Sequence, residues 1–213
     1  PRPVQPGETL AIRIRFLTRL PGLVARAGWA GDFFMAGQWF PKIGVLEPPG
    51  WRGAVSTRWN CHQYHKESEF YANFGSYDVT LTLPSRFKVG ATGKRIGMTV
   101  DPKKKSTTYR YVQANVHDFA WAADPDFIEV TEKFSGSRDV PEAETRYWAN
   151  ILGCPPQDLR LPDITMILLM SPDHRDQIPL HLRALREAIR GYGLMLGPYP
   201  YETITLIDPP ERA

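Results

Sequence analysis

The chain has 213 residues and a formal net charge of +3, with 42% hydrophobic and 23% charged residues. This composition is ordinary for a globular protein and excludes disordered and fibrous classes. The one tight basic run, at 103–105, is too narrow for a nucleic-acid-binding face, which needs a broad basic surface with stacking aromatics. The longest apolar run, at 164–170, is far shorter than the ~20 residues that span a bilayer.

The first part of the chain, residues 1–135, alternates apolar and polar residues in the manner of β-strands. Between 10 and 16 the apolar residues fall on one side and two arginines on the other, which predicts a strand with one buried face. The apolar members of this row are Leu10, Ile12, Ile14 and Phe16, and the arginines are Arg13 and Arg15. Residues 78–83, 107–112 and 127–133 repeat the pattern and predict further strands.

Turn-forming residues separate these runs, at 47–50 and 90–93 among others. The Asp-Pro step at 101–102, followed by lysines, predicts a solvated hairpin tip. Several short strands with such punctuation favour an antiparallel β-sandwich. Aromatic residues are dense from Trp29 to Trp59, which indicates either packing between two sheets or a binding surface.

The pattern changes after Phe134 to a mixed α/β one. A linker is predicted at 135–138, a short helix at 142–152 closed by Gly153, and a strand at 164–170. A long helix follows at 176–196, with Asp173 or Asp176 as its cap, and then a strand at 203–207. The apolar stripe predicted for the long helix consists of Ile178, Leu182, Leu185, Ile189, Tyr192 and Leu196.

Few residues carry the spacing of a metal site. Cys61, His62 and His65 form the one metal-like cluster, but no second cluster supplies the remaining ligands. The two cysteines, Cys61 and Cys154, imply no disulfide framework, and their pairing stays open. The motif His-Glu-x-x-His, whose histidines face zinc together, is absent. The sequence therefore predicts no metal or cofactor site in this chain.

Catalytic pairs are equally scarce. His117 and Asp118 are adjacent, and neighbours on an extended chain point to opposite faces, so they are predicted to be polar turn residues rather than half of a triad. Glu67 and Glu69 share a face if they lie on a strand, where they bind a substrate amine or a cation, or are simply solvated. His174 and His181 have no spaced carboxylate partner. No catalytic residue is predicted.

Several segments together resemble one family, the gluzincin aminopeptidases related to aminopeptidase N and leukotriene hydrolase. The segments are GQWFPK at 37–42, EFYANFG at 69–75, YDVTLTLP at 77–84, VGATG at 89–93, VHDFAWAA at 116–123 and GPYPY at 197–201. The resemblance implies an N-terminal β-domain followed by the start of a thermolysin-like catalytic domain. The expected boundaries are a β-sandwich at 1–135, a linker with a short helix at 136–162, and a truncated catalytic start at 163–213.

The resemblance also implies a function. The parent protein is expected to be a zinc aminopeptidase that removes N-terminal residues from peptides, while this chain is a non-catalytic fragment without zinc of its own. The alternative is an interaction or scaffold module from a family member that has lost its zinc site. In the family a glutamine-bearing loop of the β-domain lies near the substrate amine. The resemblance places that loop near residues 31–33, where the sequence does not match its motif, so no residue here is expected to take the role of the glutamine. Truncation predicts an exposed face on the long helix and self-association through it.

Overall fold

The computed structural model describes residues 2–22, 27–61 and 71–210. The chain is mainly β, with an antiparallel part and a smaller α/β part, as the sequence predicts. The early strands are β1 (Gly28–Ala30), β2 (Phe33–Ala36), β3 (Val45–Glu47), β4 (Arg58–Asn60), β5 (Gly75–Pro84), β6 (Lys88–Ala91), β7 (Lys94–Asp101), β8 (Ser106–Val116) and β9 (Trp121–Asp124). The later elements are β10 (Ile128–Phe134), α1 (Glu142–Leu152), β11 (Ile164–Met170), α2 (Ile178–Leu196) and β12 (Thr203–Ile207).

Three sheets and one helix are stacked in layers. The first sheet has the order β1-β2-β9-β6, the second β5-β8-β7 and the third β10-β11-β12, while β3 and β4 form a separate hairpin. Phe119, which is fully buried, and the tyrosines of β8 fill the space between the first and second sheets. The other face of the first sheet packs on the third through Phe33, Phe127 and Leu169. Helix α2 covers the far face of the third sheet.

The close approach of the first and third sheets depends on Gly90 in β6. A Cβ at this position would lie 2.4 Å from Leu169 Cδ1 and 2.7 Å from Ile207 Cδ1, so a side chain here would force these two side chains to move. The sequence predicts that 90–93 separates strands, and this is only partly right, because Gly90 and Ala91 belong to β6. Gly93 does form the turn, with φ at 86°.

Strand β10 connects the two predicted parts of the chain. It pairs antiparallel with β11 along its whole length, from Ile128 opposite Met170 to Phe134 opposite Ile164. Strand β12 then pairs with β11 in parallel, with α2 as the crossover. The strand–helix–strand order predicted for the C-terminal part is therefore confirmed.

The long helix ends at Leu196 as predicted, but it begins two residues later than predicted. Residues 172–177 form a 3-10 turn, and α2 starts after Gln177 with no side-chain cap, so neither Asp173 nor Asp176 caps it. Pro179 lies in its first turn, where proline is tolerated. Within the predicted stripe Leu182, Leu185 and Ile189 are buried, but Tyr192 and Leu196 are exposed.

The buried face of α2 changes near its end. There Gly193 and Leu194 pack inward, and the side chain of Leu161 lies against Gly193. The described helices include none that is long and apolar enough to cross a bilayer.

The predicted strand at 10–16 is wrong. Residues 9–20 are extended but pair with no strand in the described part of the chain. Leu10, Ile12 and Ile14 are more than half exposed. The alternation is present in the sequence, but a strand also requires a neighbouring edge to receive its backbone hydrogen bonds, and residues 2–22, 27–61 and 71–210 offer none here.

Candidate functional site

A polar cluster lies where the loop after β2 meets the turn before β9. It consists of Gln38, Lys42 and Asp118. Gln38 Nε2 donates a hydrogen bond to Asp118 Oδ2. Lys42 Nζ lies 2.8 Å from Asp118 Oδ1, with both side chains less than one fifth exposed. The backbone N–H of Phe119 also donates to Asp118 Oδ1, at 2.8 Å. Asp118 therefore holds together two segments that are 80 residues apart in sequence.

The backbone at Gln38 is unusual. Its φ is 53°, a left-handed conformation that non-glycine residues seldom adopt and that costs about 1–2 kcal/mol. The next residue, Trp39, fixes the loop to the core, because its Nε1 donates to the carbonyl of Phe119 at 3.0 Å. Because Gln38 Nε2 already donates a hydrogen bond to Asp118, the Oε1 atom of Gln38 is the part of the amide that can accept one. No donor to that oxygen lies among the described residues.

The adjacent histidine does not pair with this carboxylate. The ring of His117 packs on Phe74, with centroids 5.9 Å apart. The carbonyl of His117 accepts from Tyr77 Oη at 3.4 Å. Burial, followed by the charge of Asp118, raises the pKa of Tyr77. The predicted reading of 117–118 as polar turn residues is confirmed, with Phe119 in the core and Trp121 half-buried.

A cleft of about 250 Å³ lies between the first sheet and β12, and the three residues of the cluster are not among those that line it. Trp121 lines the cleft, and its ring packs edge-on against Trp39 with centroids 6.4 Å apart. Trp121 Nε1 is buried and has no acceptor in the described part of the chain. Tyr201 borders the cleft and donates from Oη to the carbonyl of Asn115 at 2.7 Å. The cleft is therefore mainly apolar.

The other residues singled out in the sequence do not join this site. Asp32 lies in the stretch expected to correspond to the family's glutamine-bearing loop. Its Oδ1 forms an ion pair with Arg86 Nη2 at 2.9 Å. Cys61 is exposed and Cys154 half-buried, and both are free thiols. His62, His65, Glu67 and Glu69 lie outside the described residues. Within the described residues no three His, Cys, Asp or Glu side chains come close enough together to hold a metal ion.

One histidine has a carboxylate partner that the sequence did not reveal. His174 Nδ1 lies 2.8 Å from Asp208 Oδ2, which also accepts from the backbone N–H of Ser171 at 3.0 Å. This corrects the expectation that His174 has no carboxylate partner. The two residues are 34 positions apart and meet only because β12 returns beside β11. They connect the 3-10 turn before α2 to the end of β12.

A second buried carboxylate lies in the β3–β4 hairpin. Glu47 is fully buried and accepts from Asn60 Nδ2 and Arg58 Nε, each at 2.9 Å. The hydrogen bond from Asn60 lowers the pKa of Glu47 below its ordinary value of 4.5; burial opposes this shift, and Arg58 reinforces it. The carboxylate is therefore stabilised in its ionised form and fixes the hairpin.

This shift predicts a pH dependence of stability. A carboxylate with a lowered pKa stabilises the fold above its unfolded pKa, and that stabilisation is lost as the pH falls through the folded pKa. We expect Glu47→Gln to be less stable than the wild type at pH 7, with the gap narrowing below about pH 4.5. Urea midpoints at pH 7, 5, 4 and 3 measure this. Glu202→Gln is the matched control, because the Glu202–Lys94 pair is largely exposed and screened by solvent. A gap that stays constant down to pH 3 would contradict the assignment.

Comparison with known proteins identifies the fold. No known family profile matches the chain, and no curated protein does. The solved M1 zinc metallopeptidase from Deinococcus radiodurans superposes with a TM-score of 0.50 at 16% identity, over 89% of this chain and 36% of that one. A point mutant of the same enzyme gives a TM-score of 0.50 at 15% identity, over 89% and 35%. The chain thus has the fold of part of a gluzincin metallopeptidase and spans little more than a third of its length, so the predicted resemblance is confirmed for the fold.

The site contains residues that sequence reasoning missed. Gln38 lies inside the segment GQWFPK, one of the segments that carry the family resemblance, yet nothing in that segment marks the glutamine rather than its neighbours. Its left-handed backbone and its bond to Asp118 are visible only in the fold. The unsatisfied Nε1 of Trp121 likewise has no sequence signal.

Proposed function

We propose that this chain is the non-catalytic β-rich part of a zinc-dependent aminopeptidase that removes N-terminal residues from peptides. The observation that supports this is the fold likeness, which extends over 89% of the chain, to a protein described as an M1 zinc metallopeptidase. In this proposal the sandwich forms one wall of the substrate cleft. Zinc, held by residues outside this chain, would polarise the peptide carbonyl and activate water.

Within this proposal Gln38 would bind the substrate's amino terminus, and its chemistry supports that role. Its Oε1 is an acceptor, and a free α-ammonium group is a donor of three hydrogen bonds. Asp118 holds the amide so that Nε2 faces the protein and Oε1 is left for the ligand. Lys42 neutralises the charge of Asp118. The substrate would therefore meet the neutral amide oxygen of Gln38 and not an unpaired carboxylate. Such a group favours peptides with an unblocked N-terminus, because an acylated amine has lost the charge that strengthens its hydrogen bond to Oε1.

The activity of the isolated chain tests the proposal. We expect the purified 213-residue chain to release no p-nitroaniline from alanine or leucine p-nitroanilide and to hold no stoichiometric zinc by elemental analysis. The reading frame around it is expected to encode His-Glu-x-x-His with a downstream glutamate. Zinc-dependent hydrolysis by the chain alone would refute the non-catalytic assignment. A reading frame in which the zinc motif is lost would instead favour the scaffold module.

Two further parts of the proposal concern organisation. We assign residues 1–135 to the sandwich, 136–162 to a linker and 163–213 to the start of the catalytic domain, although β10 and β11 share one sheet across this division. Tyr192 and Leu196 on α2 are 64% and 80% exposed, and we propose that this face is covered by other parts of the protein or by a second copy. Sedimentation of the chain over a range of concentrations distinguishes these two.

A further inference from the structure

The segment that failed to form a predicted strand has the properties of a strand without a partner. Residues 9–17, here called the arm, are extended and make no backbone hydrogen bond to the described residues. The arm is fixed to the sandwich at its C-terminal end, and at its N-terminal end it follows a local turn. Before it, Glu8 closes a turn onto Gln5 at 2.9 Å and pairs with Arg2 at 2.8 Å. After it, Thr18 Oγ1 donates to the carbonyl of Trp39.

The arm exposes one apolar row and one basic row. The side chains of the apolar row are about half exposed or more: 62% for Leu10, 60% for Ile12, 53% for Ile14 and 48% for Phe16. Of these, Phe16 packs on an aromatic ring of the sandwich, that of Trp39, with ring centroids 6.0 Å apart. The two arginines between them, at 13 and 15, form no ion pair with any described residue. Because successive side chains of an extended chain alternate, the arginines lie opposite the apolar row.

These features indicate what kind of strand would pair with the arm. Unpaired N–H and C=O groups along an extended segment are satisfied most completely by another β-strand. The apolar row requires aliphatic side chains on one face of that strand, and the basic row requires carboxylates on the other, since opposite charges stabilise cross-strand pairs. We propose that the arm is an interaction strand that pairs with an extended partner strand of alternating aliphatic and acidic residues.

A second copy of the arm does not meet these requirements. Two arms paired antiparallel about Ile14 would place Arg13 opposite Arg15 twice, and pairing about Arg13 would place that arginine opposite itself. Pairing about Ile12 avoids these contacts but places Arg13 opposite Ala11 and Arg15 opposite Thr9, so neither arginine receives a carboxylate. Like charges directly opposite each other destabilise a strand pair. The partner is therefore a different, acidic strand. This inference does not depend on the proposed peptidase function.

Hydrogen exchange on the intact chain tests the proposal. The probe is a synthetic nine-residue peptide that alternates valine and glutamate, and its control alternates valine and lysine. We expect the glutamate peptide to slow exchange of the amides at 9–17 by at least about tenfold at saturation, since strand pairing protects them. The lysine peptide is expected to leave exchange unchanged. In the double variant Arg13→Glu, Arg15→Glu the preference should reverse.

A second variant separates binding from folding. Ile12→Ser combined with Ile14→Ser removes the apolar row, and we expect it to lose the glutamate peptide while its melting temperature stays that of the wild type, because both side chains are exposed. Binding that ignores the charge of the peptide overturns the proposal, and so does the absence of protection with either peptide. Protection in the chain alone that increases with protein concentration also overturns it, in favour of a second copy.

Discussion

Replacing Gln38 with alanine is expected to lower kcat/KM for aminoacyl p-nitroanilides about 10- to 100-fold in protein that carries this chain together with the zinc site. The estimate follows from the loss of one hydrogen bond to a charged group, which contributes about 1.5–3 kcal/mol. The substrate ammonium would lose the acceptor that Asp118 holds in place. Steady-state kinetics with the free and the N-acetylated substrate measure the effect, and the N-acetylated substrate should not distinguish variant from wild type.

Gln113→Ala is the matched control for this experiment. Gln113 is also a glutamine of this surface and lines the neighbouring cleft, but its Nε2 is bonded to the carbonyl of the next residue, Ala114, at 3.0 Å. We expect its kcat/KM to stay within about twofold of the wild type, since a surface polar group of this kind contributes little. Equal losses in the two variants, or a loss that persists with the N-acetylated substrate, would show that Gln38 does not bind the amine.

Gly136→Ala is expected to unfold the chain or to cost more than about 3 kcal/mol in the free energy of unfolding. A Cβ at this position would lie 1.7 Å from the carbonyl oxygen of Leu161, which is backbone and cannot rotate away. The glycine N–H also donates to Asp163 Oδ1 at 2.9 Å, so the close approach of the two segments is itself hydrogen-bonded. Urea denaturation followed by circular dichroism measures the loss.

A second glycine supplies the control for the clash. Gly191 lies in α2, and a Cβ there would meet no atom within 4 Å. Gly191→Ala should therefore stabilise the chain, by about 0.5–1 kcal/mol, because alanine favours the helix. If the two variants change the free energy of unfolding by the same amount, the effect at Gly136 comes from the backbone preference of alanine and not from a clash with Leu161.

Local signals predicted the C-terminal elements well. The helix at 142–152 and the strands at 164–170 and 203–207 have the predicted bounds. Gly153 takes a left-handed conformation with φ at 67° and closes α1, as its position after the helix predicts. The Asp-Pro tip between β7 and β8 is also confirmed, because Asp101 Oδ1 accepts from the backbone N–H groups of Lys103 and Lys104. In each case the signal lies within a few residues of the feature.

The sequence by itself thus determined the fold class, most elements and, through several short segments, the resemblance to a metallopeptidase family. The tertiary structure alone decided which of these segments meet. It placed Asp118 on Gln38, and Asp208 on His174, by bringing distant loops and strand ends together. It also left the arm at 9–17 without a paired strand among the described residues, although its alternation is as regular as that of β5. The physical reason is that periodicity records which face of a segment is apolar, whereas pairing depends on which backbone edges the rest of the chain brings within hydrogen-bonding distance.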